Sequence, residues 1–425
     1  RAIIYDRMGT YVSRFYDEET DIIVNPFDSR SHSWNIFDDV VDAASFTQMA
    51  NVMIPEHRGA ASDPFWSQSA RIVFDYAARE LYKTGPRTMK ALIDFVIQMD
   101  ADKLSDLIKG TPGKHFFNEN IEKTSQSIRA NLIAELRFLE FLRIDAPCLS
   151  VRKWIRDEAP SFLFLTGDAE HAAATRNIIS AILEVSANSL MSLPPATEPR
   201  CYFFIDELPS LNRLPFLISS LAEIRQFGGA FMLGYQVYSQ LEDIYGREAA
   251  ESISGTTNNR IVFNTPDFRT AKRCSESLGN QDIWEANSNI SVGAHEARDG
   301  VGFTQQRTER PVVSASEIQN LPQFKAWVRF AYDAPTALLS MKPVDIEPKV
   351  PPFQPYMGNA PGFGRYVPPD RETPKDELGE PEIRAAFETW CAWKFDITDI
   401  VWPDGKGEFP SKVQPFYRHF RAQMR

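Results

Sequence analysis

Four apolar residues run into two carboxylates at Tyr202-Phe203-Phe204-Ile205-Asp206-Glu207. The apolar run predicts a buried strand, and the C-terminal end of such a strand in an α/β sheet opens at the crevice where ligands bind. An aspartate there, Asp206, can hold Mg2+, usually through water. The glutamate after it, Glu207, can orient and polarise the water that attacks a γ-phosphate. This is the Walker B pattern. The same residues also describe a buried strand ending in an acidic turn. A βα unit before the run and Leu208-Pro209 after it favour the chemical reading.

Three further residues belong with that pair. Gln236, in Gly234-Tyr235-Gln236 at the end of the next apolar run, can sense a γ-phosphate or the attacking water through its amide; taken by itself it reads first as a polar helix start. Arg260, in Asn258-Asn259-Arg260-Ile261-Val262-Phe263, sits where a finger could reach a neighbour's site, although most arginines serve surface ion pairs. Asp6 closes the first apolar run beside Arg7-Met8-Gly9 and is either a nucleotide-site group or a turn cap. Nowhere among the 425 residues is there a G-x-x-x-x-G-K-[ST]. Gly228-Gly229 is followed by no Lys-Ser/Thr, so it cannot cradle phosphates in that manner.

The elements that must carry these residues alternate. Apolar runs at Ala2–Asp6, Ser161–Thr166, Tyr202–Asp206, Ala230–Gly234 and Arg260–Asn264 are separated by helical periodicity, as at Ile178, Ile179, Ile182 and Val185, and at Leu241, Ile244 and Ile253. That alternation predicts βαβ units and a mainly parallel sheet. Two late runs, Ala326–Tyr332 and Ala337–Met341, predict an antiparallel edge hairpin. Residues 38–147 contain no convincing strand but several amphipathic patterns, one through Ile128, Leu132, Leu136 and Leu139. They read as an all-α domain inserted into the sheet domain, which is left in two segments, 1–37 and 148–350. A proline-dense stretch, 351–380, reads as an extended linker. Residues 381–425 contain Trp390, Trp393 and Trp402, more aromatic character than a solvated tail has, and read as a small C-terminal partner-binding module.

Composition sets bounds. Charged residues at 24% and hydrophobic residues at 43% are ordinary for a globular chain. A net charge of −11 excludes a basic DNA wrapper but leaves room for a motor that touches phosphates through local loops. Cys148, Cys201, Cys274 and Cys391 form no CxxC pair and the histidines no ligand spacing, so neither a disulfide framework nor a structural metal is expected. No apolar stretch is long enough to span a membrane. The start at Arg1, directly in an apolar run, reads as a truncation.

Taken together the segments resemble the TraD family of conjugative coupling proteins. The resemblance rests on Ile4-Tyr5-Asp6-Arg7-Met8-Gly9, Asp63-Pro64-Phe65-Trp66, Ile121-Glu122-Lys123-Thr124 with Ser127-Ile128-Arg129-Ala130, Asp206-Glu207-Leu208-Pro209, Gln240-Leu241-Glu242-Asp243-Ile244-Tyr245-Gly246 and Arg298-Asp299-Gly300-Val301. These motifs are colinear over about residues 1–345. The resemblance implies a RecA-like P-loop NTPase domain with the all-α domain at its cytosolic end, ATP and Mg2+ as cofactors, and a homo-hexameric ring anchored at the cytoplasmic face of the bacterial inner membrane. It implies single- and double-stranded DNA, the relaxase or relaxosome, and the type IV secretion channel as partners. Asp206 and Glu207 become the Walker B pair, Gln236 the sensor and Arg260 the finger. The phosphate loop and membrane anchor would lie upstream of Arg1, so that this chain alone would be inactive. Loops near Gln305–Arg310, with Arg307 and Arg310, are expected to grip DNA, or else form a solvated basic patch. Two other functions compete: a non-hydrolysing receptor for relaxase or another secreted protein, and a chromosome-segregating DNA pump of the FtsK kind.

Overall fold

The computed structural model describes residues 1–356, except 56–63, 96–100, 117–121, 144–145, 158, 168–170, 292–299 and 333. The expected module at 381–425 and most of the expected linker lie outside these residues. In chain order the strands and helices are β1 (Ala2–Asp6), α1 (Thr10–Phe15), β2 (Ile22–Val24), β3 (Ser33–Trp34), α2 (Ala43–Met53), α3 (Pro64–Thr84), α4 (Met89–Ile93), α5 (Ala101–Leu107), α6 (Glu122–Leu136), β4 (Cys148–Leu149), α7 (Val151–Arg156), β5 (Phe162–Thr166) and α8 (Ala172–Met191). There follow β6 (Cys201–Ile205), α9 (Pro215–Ser219), β7 (Gly229–Leu233), α10 (Tyr238–Tyr245), α11 (Arg247–Thr256), β8 (Arg260–Val262), α12 (Phe268–Leu278), β9 (Asn280–Ser291), β10 (Gly300–Pro311), α13 (Ala315–Gln319), β11 (Lys325–Arg329) and β12 (Ala337–Ser340).

The central sheet is parallel throughout, in the order β2-β5-β1-β6-β7. Its strands are short apolar runs and its crossovers are helical, as the alternation requires. One face carries Ile3, Tyr5, Leu163, Leu165, Phe203 and Ile205 into the main core, where Ile178, Ile182 and Leu183 of α8 also lie. The opposite face is covered unevenly. Ala2, Ile4, Ile23 and Phe164 lie under Val12 and Tyr16. Beyond β1 that face is bare: Tyr202 is 42% exposed, Phe204 37% and Met232 58%. The run at 202–205, expected to be buried, is therefore buried on alternate residues only.

β3 and β4 pair in parallel, Ser33 with Cys148 and Trp34 with Leu149, and so bring together the two ends of the helical stretch. Among the described residues between them no strand occurs, and Ile128, Leu132, Leu136 and Leu139 are all buried. The buried Asp39 locks this junction. Its carboxylate accepts from Trp34 Nε1 (2.8 Å), Ser150 Oγ (2.8 Å) and the backbone N–H groups of Val151 (3.1 Å) and Arg152 (2.9 Å). Two of those donors are first-turn N–H groups of α7, which have no partner inside the helix.

Several expectations are corrected by the structure. β8 does not join the parallel sheet; it pairs antiparallel with β11, which pairs with β12 in the expected hairpin. Its Ile261 is exposed, as suits a sheet with one solvated face rather than a doubly covered one. The residues around Gln305–Arg310 are not a loop but part of the twelve-residue strand β10, paired in register with β9. Arg307 and Arg310 form cross-strand ion pairs with Asp282 and Glu285. The helical pattern after Gln236 breaks at Gly246, where φ is 80°, into α10 and α11.

The described beginning of the proline-dense stretch is extended but docked. Ser13 O accepts from the N–H of Lys349 (2.7 Å) and Val350 (3.2 Å), Gln354 O from Ser29 N (2.7 Å), and Phe27 O from Tyr356 N (2.7 Å). Gly9, with φ 71°, permits the close approach; a Cβ there would stand 2.2 Å from Pro352 O.

Candidate functional site

Glu207 and Gln236 meet at the C-terminal end of the sheet. The Gln236 amide Nε2 donates to Glu207 Oε2 at 2.7 Å. Three features of the backbone bring them together. β6 and β7 pair in parallel up to Ile205 and Leu233. Beyond the pairing, Gly234 N donates to Ile205 O (2.8 Å) and Leu208 N to Gly234 O (2.9 Å), stitching the two strand exits together. Gly234 lies so close to the Asp206 backbone that an added Cβ would stand 2.1 Å from Asp206 O. Only a residue without a side chain fits between the strands at this point.

Glu207 precedes the 3-10 turn Leu208–Ser210 but its side chain makes no cap bond, which leaves the carboxylate for Gln236. The turn is fixed from below. Ser210 Oγ bonds Glu207 O at 2.7 Å and the Tyr5 hydroxyl at 2.7 Å. Burial pushes the Tyr5 hydroxyl above its ordinary pKa, so it is a neutral hydrogen-bonding group near pH 7. Asp206 is exposed at the mouth, close enough to Tyr11 to help burial hold that phenol's pKa up. Among the described residues no group of three or more His, Cys, Asp or Glu could hold a metal ion, so a cation at this mouth would have few protein ligands.

Asp6 and Arg260 have other bonds. Asp6 is buried and caps α1: Oδ1 accepts from Thr10 N (3.0 Å), and Oδ2 from Tyr11 N (2.7 Å) and Val12 N (2.9 Å). Burial raises its pKa, against the pull of those N–H groups. Arg260 opens β8, and its guanidinium donates to Ser254 O (2.5 Å) and Ser254 Oγ (3.2 Å) near the end of α11, a cation at a helix C-terminus. The structure thus brings Glu207 and Gln236 together beside Asp206, and gives Asp6 a cap and Arg260 a helix end. The sequence reading missed Tyr5 and Ser210 as supports of the site. Spacing alone carries no signal for them, because their bond joins a different strand to the turn after β6.

The family model for the type IV secretion-system coupling protein DNA-binding domain matches residues 1–342. Coupling protein TraD of Escherichia coli K12 is 34% identical over 358 residues, covering 83% of this chain and 50% of that protein. Among solved structures, the unbound bacterial conjugative coupling protein TrwBdeltaN70 superposes with a TM-score of 0.73 at 28% identity, covering 83% of this chain and 80% of the other. TrwB in complex with ADP and Mg2+ gives 0.72 at 27% identity, covering 84% and 82%. The fold is thus the α/β, RecA-like one expected. The chain spans about half the length of the curated relative, and among its described residues no helix is long and apolar enough to cross a membrane. With the family model matched over most of its length, this chain belongs to the type IV secretion-system coupling proteins.

Proposed function

We propose that this chain is the nucleotide-hydrolysing body of a conjugative coupling protein, which links relaxase-bound DNA to a type IV secretion channel and drives its transfer with ATP. The observation that carries the proposal is the 2.7 Å Gln236–Glu207 pair at the C-terminal end of a parallel sheet, where α/β proteins bind ligands. Donation from Gln236 fixes the Glu207 carboxylate, which then holds the attacking water and draws off its proton. Asp206, an exposed hard-oxygen donor, suits Mg2+ held through water; the ion would neutralise charge on the phosphates. Solved structures of TrwB with ADP and Mg2+ and with an ATP analogue support this choice of ligands.

The phosphate loop is proposed to come from sequence outside these 425 residues. The bare strip of Tyr202, Phe204 and Met232 lies beside the site, and among the described residues β7 has only β6 as a neighbour in its sheet. A further strand and helix carrying the loop would cover that apolar surface. In this reading the protein works as a hexamer at the cytoplasmic face of the inner membrane, and Arg260 leaves Ser254 to complete a neighbour's site.

Plasmid transfer from cells carrying Glu207→Gln in the full-length protein is the test. The motor reading expects transfer to fall at least about a hundredfold with the protein present at normal level. Transfer at the wild-type rate would favour a receptor that recruits relaxase without hydrolysis.

A further inference from the structure

Between α10, α11 and α12 lies a cleft of about 420 Å3, large enough for a phosphorylated group. Arg247, Arg269 and Arg273 line it, with Tyr238, Glu242 and Asp243. Three carboxylates, Glu242, Asp243 and Glu251, face these arginines, but the ion pairs they form are long. Glu251 is shared by Arg247 (3.5 Å) and Arg273 (3.3 Å), and Glu242 stands 3.9 Å from Arg269. Side chains of Arg247 and Arg269 are 81% and 79% exposed, and ion pairs that open to water are weak and readily exchanged. The buried Tyr238 adds a second signal. Its hydroxyl makes no hydrogen bond of ordinary geometry, although the Arg273 guanidinium, 4.6 Å above its ring, is close enough to interact with it. Three guanidiniums gathered in one cleft, held by Glu242 and Glu251 only through long ion pairs, suit an anion that accepts several hydrogen bonds at once. Phosphate does this, and forked guanidinium contacts to it are strong.

We propose that this cleft is a phosphate-binding site, distinct from the Glu207–Gln236 site, that takes a backbone phosphate of DNA or a free phosphorylated compound. It is also mechanically joined to the hydrolytic site. Tyr238 lies two residues beyond Gln236, and its N–H donates to Thr270 Oγ1 (3.0 Å) on α12. Thr270 is itself held by Asp267, which accepts from its N–H (2.7 Å) and hydroxyl (2.6 Å). An anion that draws Arg269 and Arg273 together therefore pulls on the helix to which the β7–α10 turn is tied. This coupling rests on the proposed role of Gln236; the binding does not.

Binding is measured on the 425-residue chain with no ATP present, so its outcome is independent of turnover. The probes are a fluorescein-labelled single strand, by anisotropy at several salt concentrations, and inorganic pyrophosphate, by titration calorimetry. The variants are the double reversal Arg247→Glu/Arg269→Glu and, on the same helix outside the cleft, Lys272→Glu, each checked for an unchanged melting temperature. The double reversal is expected to weaken the strand about tenfold and to lower the salt slope by roughly 1.4, two phosphate contacts' worth, with Lys272→Glu within about twofold of wild type. Loss of pyrophosphate binding alone, with the strand unaffected, supports the site with a small phosphorylated occupant. The proposal is overturned if the double reversal binds both probes like wild type, if Lys272→Glu weakens them equally, or if the wild-type chain binds neither.

Discussion

At the scale of single residues, Gly234 decides whether the site exists. Glu207 and Gln236 are chemically suited to hydrolysis, but they meet only because β7 passes the Asp206 carbonyl closer than any side chain allows. Gly234→Ala is expected to destabilise the protein by about 1–3 kcal/mol through overpacking, and to part the two side chains even where the protein still folds. Thermal melting reads the first effect, and ATP turnover by the full-length protein the second. The placement of these side chains was legible in the sequence, since two carboxylates after an apolar run and a glutamine after the next run fall at the ends of adjacent strands of a parallel sheet. The function of Gly234 was not, because a close backbone approach depends on what the neighbouring strand does. Asp6 shows the same limit: a carboxylate at a strand end reads alike as ligand or cap until the N–H groups of Thr10, Tyr11 and Val12 are seen around it.

At the scale of elements, α8 ties the sheet to the turns that follow β6, through a buried charge. Glu184 accepts from Phe216 N at 3.2 Å and Asn188 Nδ2 at 3.2 Å, and burial raises its pKa above the ordinary 4.5. A carboxyl whose folded pKa is raised binds its proton more tightly in the folded state. Stability is therefore lost as pH rises from about 4.5 through the raised value. Glu184→Gln keeps an acceptor for Phe216 and has no such titration. The melting temperature of the variant relative to wild type should climb over that pH window and then level off; a difference independent of pH would contradict the buried-charge account. Helix α8 and four of the five strands of the central sheet were legible because their apolar runs are strong; β2, only three residues long, was not. The β9–β10 ribbon was not. Its described residues are largely polar, Trp284 is exposed, and the ion pairs Arg307–Asp282 and Arg310–Glu285 join residues far apart in sequence. Among its described residues none is buried, so they offer no period-two pattern to read. The placement of β8 failed for a related reason, since three residues carry too little pattern to distinguish a parallel from an antiparallel partner.

At the scale of the whole molecule, the uneven covering of the sheet matters most. One face is a continuous core, whereas the other is closed over β2, β1 and the Phe164 part of β5 and open at Phe162 and over β6 and β7. Exposed apolar surface of this kind marks a place where something else packs, and it lies beside the proposed site. The assembly proposed above makes a prediction that one subunit cannot satisfy. Subunits with Arg260→Ala keep their own Glu207, and subunits with Glu207→Gln keep their own Arg260. If Arg260 acts in a neighbour's site, mixing the two inactive full-length variants should restore part of the turnover. No recovery in mixed rings would leave Arg260 as the cap of α11 that its bonds to Ser254 describe.

The central claim is that Glu207, fixed by Gln236, performs hydrolysis. It is tested most directly by measuring ATP binding and ATP turnover together in full-length wild-type protein and in Glu207→Gln. The account predicts binding within about twofold of wild type and turnover lowered by at least about a hundredfold. Turnover at the wild-type rate in Glu207→Gln would contradict it.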